Sequence, residues 1–523
     1  MKCTVTGIYW ERILLHFDIR TDMPVSSAEF FLTEEVSGCR YPLRLSDDWS
    51  GGCNGVFSCF INVTNAGTCR CLPDGTYRIT AAEDDGAPIR ADAVCKAEGT
   101  ERIFPFNGGK DCCRILINLS PLYIQVKTEY ARRRHRFRTM LMHRAADVAY
   151  QIEYAVSHAD KKGRRKKRVL FLSGQSETPG GNLTAVRNRM KKRGLTGENG
   201  GFEILESYRD RRSGRKSRLK ALRKIASADY IFLDDHEPIF DTLILKDSTV
   251  LTQLWHGGVG FKSSGYSRWG HPGCPAPFSC HRQYTWGIVS SRAVIPIYSE
   301  IWGINDSQVL PLGLPKMDRF LNPEHRARAE EYLKELFPMI REKKVILFAP
   351  TYRGRGKQDA SYPYEKIDFD LLYDTIGDDA VVLFRMHPWV RDMVPIPGRM
   401  RDRMADAGRV RDINDLVYIT DLLITDYSSN ICEYSLMCRP MLFYAFDEKE
   451  YSEDRGFHRD YKEYAPGKVC YSFSELMEAY KTGDYEQERA LRYVQEQFDY
   501  RDSGAADRVI DRILLGKETG VHI

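Results

Sequence analysis

The sequence predicts an α/β protein: a pair of doubly wound parallel-sheet domains facing a cleft, preceded by a small β-rich domain. Three observations lead there. From Arg168 onward, short apolar runs of strand length alternate with stretches of helical period, the signature of parallel sheets. Those runs fall into two sets, and each tends to end on polar or glycine residues of the kind that line a ligand cleft. The residues before about position 125 have another texture, short apolar runs broken by Gly, Asn and Asp clusters. At 523 residues, 42% hydrophobic and 28% charged, the chain has room for two or three domains with sizeable cores.

In chain order, residues 1–125 are expected to form the β-rich domain. Val56 to Ile61 and Ile115 to Ile117 read as strands, and Pro73-Asp74-Gly75 as a turn before Tyr77-Arg78-Ile79. Nine of the 14 cysteines lie there, Cys53 among them, and with no signal-peptide pattern at Met1 to Asp18 they read as reduced thiols. Residues 126–167 form a basic linker, helical from Glu129 to Val156. Between 127 and 168 there are 14 Lys or Arg against four Asp or Glu. With Phe137, Met140, Leu141 and Met142 it suits an anionic membrane surface through residues 132–168. A solvated connector and a nucleic-acid patch are the other readings.

Residues 168–312 are the first α/β domain. Its strands are Val169 to Leu172, Tyr230 to Leu233 and Thr252 to Trp255, and its helix is Asn182 to Lys192. Residues 313–523 are the second, with strands at Val345 to Phe348, Val381 to Phe384, Leu422 to Thr425 and Met441 to Tyr444. Helices run from Asn430 to Met437 and from Asp484 to Leu515, the last packing back across both halves. Two such domains across a cleft make the architecture called GT-B.

The turn Asp426-Tyr427-Ser428-Ser429 joins a strand to a helix, where free backbone N–H groups and two hydroxyls suit a diphosphate. Glu433, four residues on, shares that helix face and can accept from sugar hydroxyls. Plain helix capping is the other reading of the serines. His256 follows a strand and precedes Gly257 and Gly258, so backbone can approach a substrate while an imidazole takes a proton near neutral pH. His387 follows the strand ending at Phe384 and can meet phosphate charge. Asp234-Asp235 reads as a turn cap, no Asp-x-Asp metal motif sits at a strand end, and no Walker lysine-serine loop is present. His271, Cys274, Cys280 and His281 are a minor metal candidate at non-standard spacing.

The run from Ile424 to Phe457 resembles the C-terminal signature of the CDP-glycerol glycerophosphotransferase family, whose members build teichoic acids and related polyol-phosphate polymers. The likeness extends from Arg168 to about Gly516. It places the general base on His256 within the Trp255-His256-Gly257-Gly258 block, which continues through Val259 and Gly260 to Lys262. It places donor phosphate contacts on His387, in Arg385-Met386-His387-Pro388, and a donor-site block on Ala349-Pro350-Thr351-Tyr352-Arg353. Lys316 stands where the family commonly has arginine, keeping the charge and losing the fork. Glu433 stands where many members have aspartate, and the resemblance gives it the nucleotide ribose.

The resemblance implies GT-B architecture and transfer of a polyol-phosphate from CDP-glycerol or CDP-ribitol to a hydroxyl of a growing polymer, releasing CMP. His256 and His387 are the catalytic candidates. Trp255, Gly257, Gly258, Lys316, Pro350, Thr351, Arg353, Arg385, Met386, Ser428, Ser429 and Glu433 bind the donor. No cofactor or metal is required. The partners are the donor, a lipid-linked or polymeric acceptor and an anionic membrane, with no nucleic acid; a homo-oligomer is compatible with the sequence. The location implied is cytoplasmic, at the inner face of the membrane. The alternatives are a nucleotide-sugar glycosyltransferase of the same architecture and a non-catalytic protein that holds anionic polymer or membrane.

Overall fold

A computed structural model describes residues 3–21, 29–46, 55–67, 69–82, 87–130, 133–159, 166–174, 177–208, 215–258, 261–277, 279–354 and 356–518. Arg132, the cluster at 161–165, Cys53, Val259 and Gly260 lie outside the described residues, as do the side chains at 133–139, 142 and 280.

The N-terminal β-rich domain is a sandwich of a five-stranded and a six-stranded sheet. Its strands alternate buried and half-buried residues, as in Val56–Asn62 and Asp111–Leu119, so each sheet turns one face to a shared core of Phe17, Phe30, Phe57 and Ile115. Tyr266 and Trp269, from far along the chain, complete that core.

The last strand, Leu122–Tyr130, runs through Glu129 because Asp111–Leu119 pairs with it to the end. The helix expected from Glu129 therefore begins at Arg133 and continues to His158. One face docks on the first parallel sheet's helices and loops: Tyr150 is fully buried, and the Asp147 carboxylate accepts from Ile244 N at 2.9 Å. Leu141, Val148, Ile152 and Val156, spaced at helical intervals, are exposed on the other side.

The first parallel sheet holds Lys167–Ser173, Phe202–Tyr208, Tyr230–Leu233, Val250–Gln253, Trp286–Ile288 and Val309–Leu310; numbering them in that order, they lie as 2-1-3-4-5-6. The second holds Lys344–Phe348, Ala380–Phe384, Met404–Asp406, Leu422–Thr425, Met441–Tyr444 and Lys468–Cys470, lying as 3-2-1-4-5-6. Its first and fourth strands are neighbours, so the order reverses between Phe348 and Thr425, the crevice where open α/β sheets take ligands.

The long C-terminal helix expected from Asp484 is instead two pieces. Gln487–Gln497 buries Ala490, Tyr493 and Val494 in the second sheet's core. The chain then breaks over Phe498–Gly504, and Ala505–Val509 with the wide turn Ile510–Leu514 buries Val509, Ile510 and Leu514 against Val169 and Phe171 of the first sheet. Asp318 anchors the return by accepting from Ala505 N and Ala506 N, both at 2.8 Å. The chain thus starts and ends its α/β part on the same core.

Candidate active site

The strand bearing His256 ends at Gln253, two residues earlier than expected. Trp255 adopts a left-handed backbone, φ 55°, which no strand accommodates. Gln253 holds this turn: its side chain accepts from Trp255 N at 2.8 Å and donates to Asp235 O at 3.0 Å and to the Tyr284 hydroxyl at 2.9 Å. The turn lifts His256 out of the sheet, where 57% of its side chain is exposed and its ring stacks on Trp255 at 4.6 Å. Nδ1 lies 3.2 Å from the Asp234 carbonyl and 3.8 Å from the Asp235 carboxylate. With Nδ1–H donating to that carbonyl, Nε2 is left as the lone pair facing outward. Asp234 accepts from Gly180 N at 3.1 Å, just before the helix Gly181–Lys192, and burial raises its pKa. Asp235 stands beside the imidazole, which the turn-cap expectation did not foresee.

The glycines divide their work. Gly257 has open space where a Cβ would stand, and its carbonyl accepts from the Tyr298 hydroxyl at 3.0 Å. At Gly258 a Cβ would come within 2.0 Å of Cys432 Sγ, so this glycine lets the histidine loop lie directly on the helix Ile431–Ser435. Lys316 binds the same junction. Its backbone N–H donates to Asn182 Oδ1 at 2.8 Å, and its ammonium donates to the His256 carbonyl at 3.1 Å and pairs with Glu433. Burial disfavours the Lys316 charge, but Glu433 outweighs it and the pKa is raised. His256, Lys316 and Glu433 are thereby brought together. The Glu433 side chain is 5% exposed, and the structure gives its Oε1 to Lys316.

On the opposing sheet, Pro350 and Thr351 follow Lys344–Phe348; Thr351 N donates to Asp426 Oδ1 at 2.7 Å, and its buried hydroxyl has no partner among the described residues. Arg353 was expected to touch the donor, but its fork is committed elsewhere. It meets Asp447 at 2.5 and 2.9 Å and Asp426 at 2.9 Å, within 6 Å of the rings of Tyr362, Tyr427, Phe446 and Tyr451. It braces the Asp426–Ser429 turn from behind. Arg385 and Met386 are also buried; Arg385 Nη1 turns back to the Met386 carbonyl at 2.8 Å, and burial lowers the guanidinium pKa.

His387 is half-buried between Tyr352 and Trp389. Burial, then the nearby cations Lys262 and Arg385, lower its pKa to about 4, so it is neutral near pH 7. Trp389 N donates to Nδ1 at 3.2 Å, which leaves the proton on Nε2 as a donor. Ser428 Oγ accepts from Asn430 N at 3.3 Å, and Ser429 is exposed. The helix after them spans only Ile431–Ser435, shorter than the expected Asn430 to Met437, because Cys438 turns left-handed before Arg439-Pro440. Beyond Lys316 a cleft of about 680 Å³ opens between the two sheets' helices, lined by Thr184, Asn188, Arg319, Arg411 and Asp412.

Of the cysteine and histidine group, His281 and Cys274 have other partners. His281 is buried with Nδ1 2.8 Å from the Tyr284 hydroxyl, and Cys274 Sγ donates to Pro105 O at 3.3 Å. Among the described residues no three His, Cys, Asp or Glu side chains are placed to share a metal ion.

A model of the family CDP-Glycerol:Poly(glycerophosphate) glycerophosphotransferase matches residues 153–515. The teichoic acid ribitol-phosphate polymerase TarL of Staphylococcus aureus is 37% identical over 358 residues, 68% of this chain and 63% of the relative. The teichoic acid poly(ribitol-phosphate) polymerase of Bacillus spizizenii is 36% identical over 412 residues, 78% of this chain and 64% of the relative. The chain therefore spans a little under two thirds of these two proteins' lengths. Among solved structures, the wall teichoic acid polymerase TagF is similar in fold, with a TM-score of 0.53 and 23% identity, covering 75% of this chain and 100% of that one.

Proposed function

Starting from a chain that belongs to the CDP-glycerol:poly(glycerophosphate) glycerophosphotransferase family, we propose that it transfers a polyol-phosphate from a CDP-polyol to a hydroxyl of a growing teichoic-acid-like or capsular polymer, releasing CMP. The observation that carries this reading is the seating of the histidine loop on the opposing sheet's turn. Gly258 rests on Cys432, and Lys316 joins the His256 carbonyl to Glu433. The two sheets and their helices are read as a GT-B pair, residues 168–312 on the acceptor side and 313–523 on the donor side.

In this reading His256 Nε2 takes the proton of the acceptor hydroxyl, whose oxygen attacks the polyol-bearing phosphorus. The bond from that phosphorus to the CMP oxygen breaks, and CMP leaves with the electron pair. Asp235 stabilises the imidazolium so formed. His387 Nε2–H, the Ser428 and Ser429 hydroxyls and the backbone beside them hold the diphosphate. The second Glu433 oxygen accepts from the ribose. This is positioning and charge neutralisation, with no covalent intermediate.

Relatives named for ribitol-phosphate match over about two thirds of the chain or more at 36–38% identity, so CDP-ribitol is the donor favoured over CDP-glycerol. The helix Arg133–His158 is read as resting on an anionic membrane, where a lipid-linked acceptor is held. Its exposed Leu141, Val148, Ile152 and Val156 stripe and basic flanks support that. No helix among the described residues is long and apolar enough to cross a membrane. The test is a donor panel of CDP-ribitol, CDP-glycerol and UDP-glucose with a polyol-phosphate acceptor. Acceptor-dependent CMP release supports the reading, and UDP release alone replaces it with glycosyl transfer.

A further inference from the structure

The segment after the histidine loop is fastened at both ends to other parts of the molecule. Phe261 is buried in the second sheet's core, edge-on to Tyr461 at 4.7 Å. Lys262 bridges Phe457 in a short antiparallel contact; His458 N donates to Phe261 O at 2.9 Å and Ser263 N to Gly456 O at 3.0 Å. A few residues on, Tyr266 and Trp269 enter the β-sandwich core, Trp269 stacking on Phe104 at 4.8 Å. A loop pinned in this way has little freedom in where it places residue 262.

That residue is a lysine on the donor side of the cleft. Its ammonium stands 5.7 Å from the Tyr451 ring centroid, and among the described residues it makes no hydrogen bond or ion pair. It is one of the two cations that depress His387, so the two groups lie within electrostatic reach of each other. The surrounding charges leave a cationic surplus. Arg353 is matched by Asp426 and Asp447, while among the described residues Lys262 and Arg385 have no acidic partner in contact and Arg455 pairs only with Asp454. Desolvation lowers the Lys262 pKa to about 8; Asp426 opposes that shift, and Arg455 and Arg353 add to it. A half-buried ammonium with no acid in contact among the described residues, beside a neutral imidazole donor, is a place for an anion.

We propose that Lys262 is a further donor-binding residue, carried across from the histidine loop to hold the nucleotide's diphosphate together with His387. This rests on the donor-site reading above and adds a residue that reading leaves out. It also gives the β-sandwich a task, holding the far end of the segment that delivers this charge.

Calorimetric titration of the full chain with CDP and with cytidine tests it, using wild type, Lys262→Met, Lys262→Arg and His387→Ala. Lys262→Met is expected to bind CDP roughly tenfold or more weakly, while its cytidine affinity stays unchanged and Lys262→Arg keeps most of the affinity for CDP. Wild-type affinity for CDP is expected to fall between about pH 7 and about pH 9 as the ammonium is lost, and that of Lys262→Arg to hold. If His387→Ala weakens CDP binding and Lys262→Met does not, the inference is overturned and the donor site stands. A cytidine affinity that falls in step with CDP also overturns it, because the lysine then serves the fold. Wild type that fails to bind CDP, or a site indifferent to both substitutions, removes the donor-site reading and this inference with it.

Discussion

Removing only the lysine of the Lys316–Glu433 pair is expected to cost more than removing both partners. The pair joins a residue preceding the short helix Met317–Phe320 to the helix Ile431–Ser435, with side-chain exposures of 19% and 5%. Lys316→Met leaves the Glu433 carboxylate in place with no counter-charge. Breaking a buried pair costs ~3–5 kcal/mol, and the residual exposure of Lys316 puts this case near the lower end. Glu433→Gln is milder, about 1–2 kcal/mol, since Lys316 keeps its bond to the His256 carbonyl and some solvent. The double variant has no orphaned charge and is expected to lose only about 2 kcal/mol, giving a coupling of about 2–3 kcal/mol. The assay is urea unfolding of all four proteins near pH 7, followed by near-UV circular dichroism. The sign with pH follows from the raised Lys316 pKa: the pair's contribution is intact below the ordinary lysine value and is lost only as alkali titrates through the raised one. Additive single effects, with a coupling below about 0.5 kcal/mol, would refute the claim that each of these two charges depends on the other for its place in the structure.

Three further outcomes are expected. Asp235→Asn should lower kcat roughly tenfold and leave the KM for the donor unchanged, because its carboxylate, 3.8 Å from Nδ1, acts only on charged His256; an unchanged kcat removes that role. His281 and His458 are buried, and desolvation lowers each to about 3, so the unfolded chain binds more protons than the native one between there and about 6.5. Stability should be full above about 6.5 and decline as pH falls through that window, and His281→Gln should flatten the decline; an unchanged acid limb contradicts it. Changing Arg133, Arg134, Arg136 and Arg138 to Gln, or Val148 and Ile152 to Asp, should reduce sedimentation with anionic vesicles while CMP release with a short soluble acceptor survives. Each lost basic residue is worth about 1 kcal/mol at such a surface, and wild-type binding that persists in ~1 M salt counts against the membrane reading.

What could be read from the chain was local. Leu422–Thr425 and Ala380–Phe384 are fully buried strands, legible as short apolar runs. The places where expectation and structure part are set by residues distant in sequence. Arg353 looked available because its partners Asp426 and Asp447 lie 73 and 94 residues on. Lys316 and Glu433 were each given to the donor, whereas in space they meet each other. Lys262 stood inside the histidine block, but only the bridge to Phe457 shows that it crosses to the other side of the cleft. Some misses were local. The left-handed Trp255 shortened its strand and the left-handed Cys438 its helix, and a tryptophan or cysteine carries no signal for that backbone as a glycine does. Glu129 stayed in its strand because a pairing ladder outweighs the helical preference of a charged run.

The central claim is tested most directly by supplying CDP-ribitol and a short acceptor ending in a polyol-phosphate hydroxyl, and measuring CMP release and acceptor mass together. For wild type, each CMP should be matched by one ribitol-phosphate added to the acceptor. His256→Ala should lose both together by about 10²–10⁴-fold while still binding CDP. CMP formed without acceptor growth, or growth that continues at the wild-type rate in His256→Ala, would contradict the account.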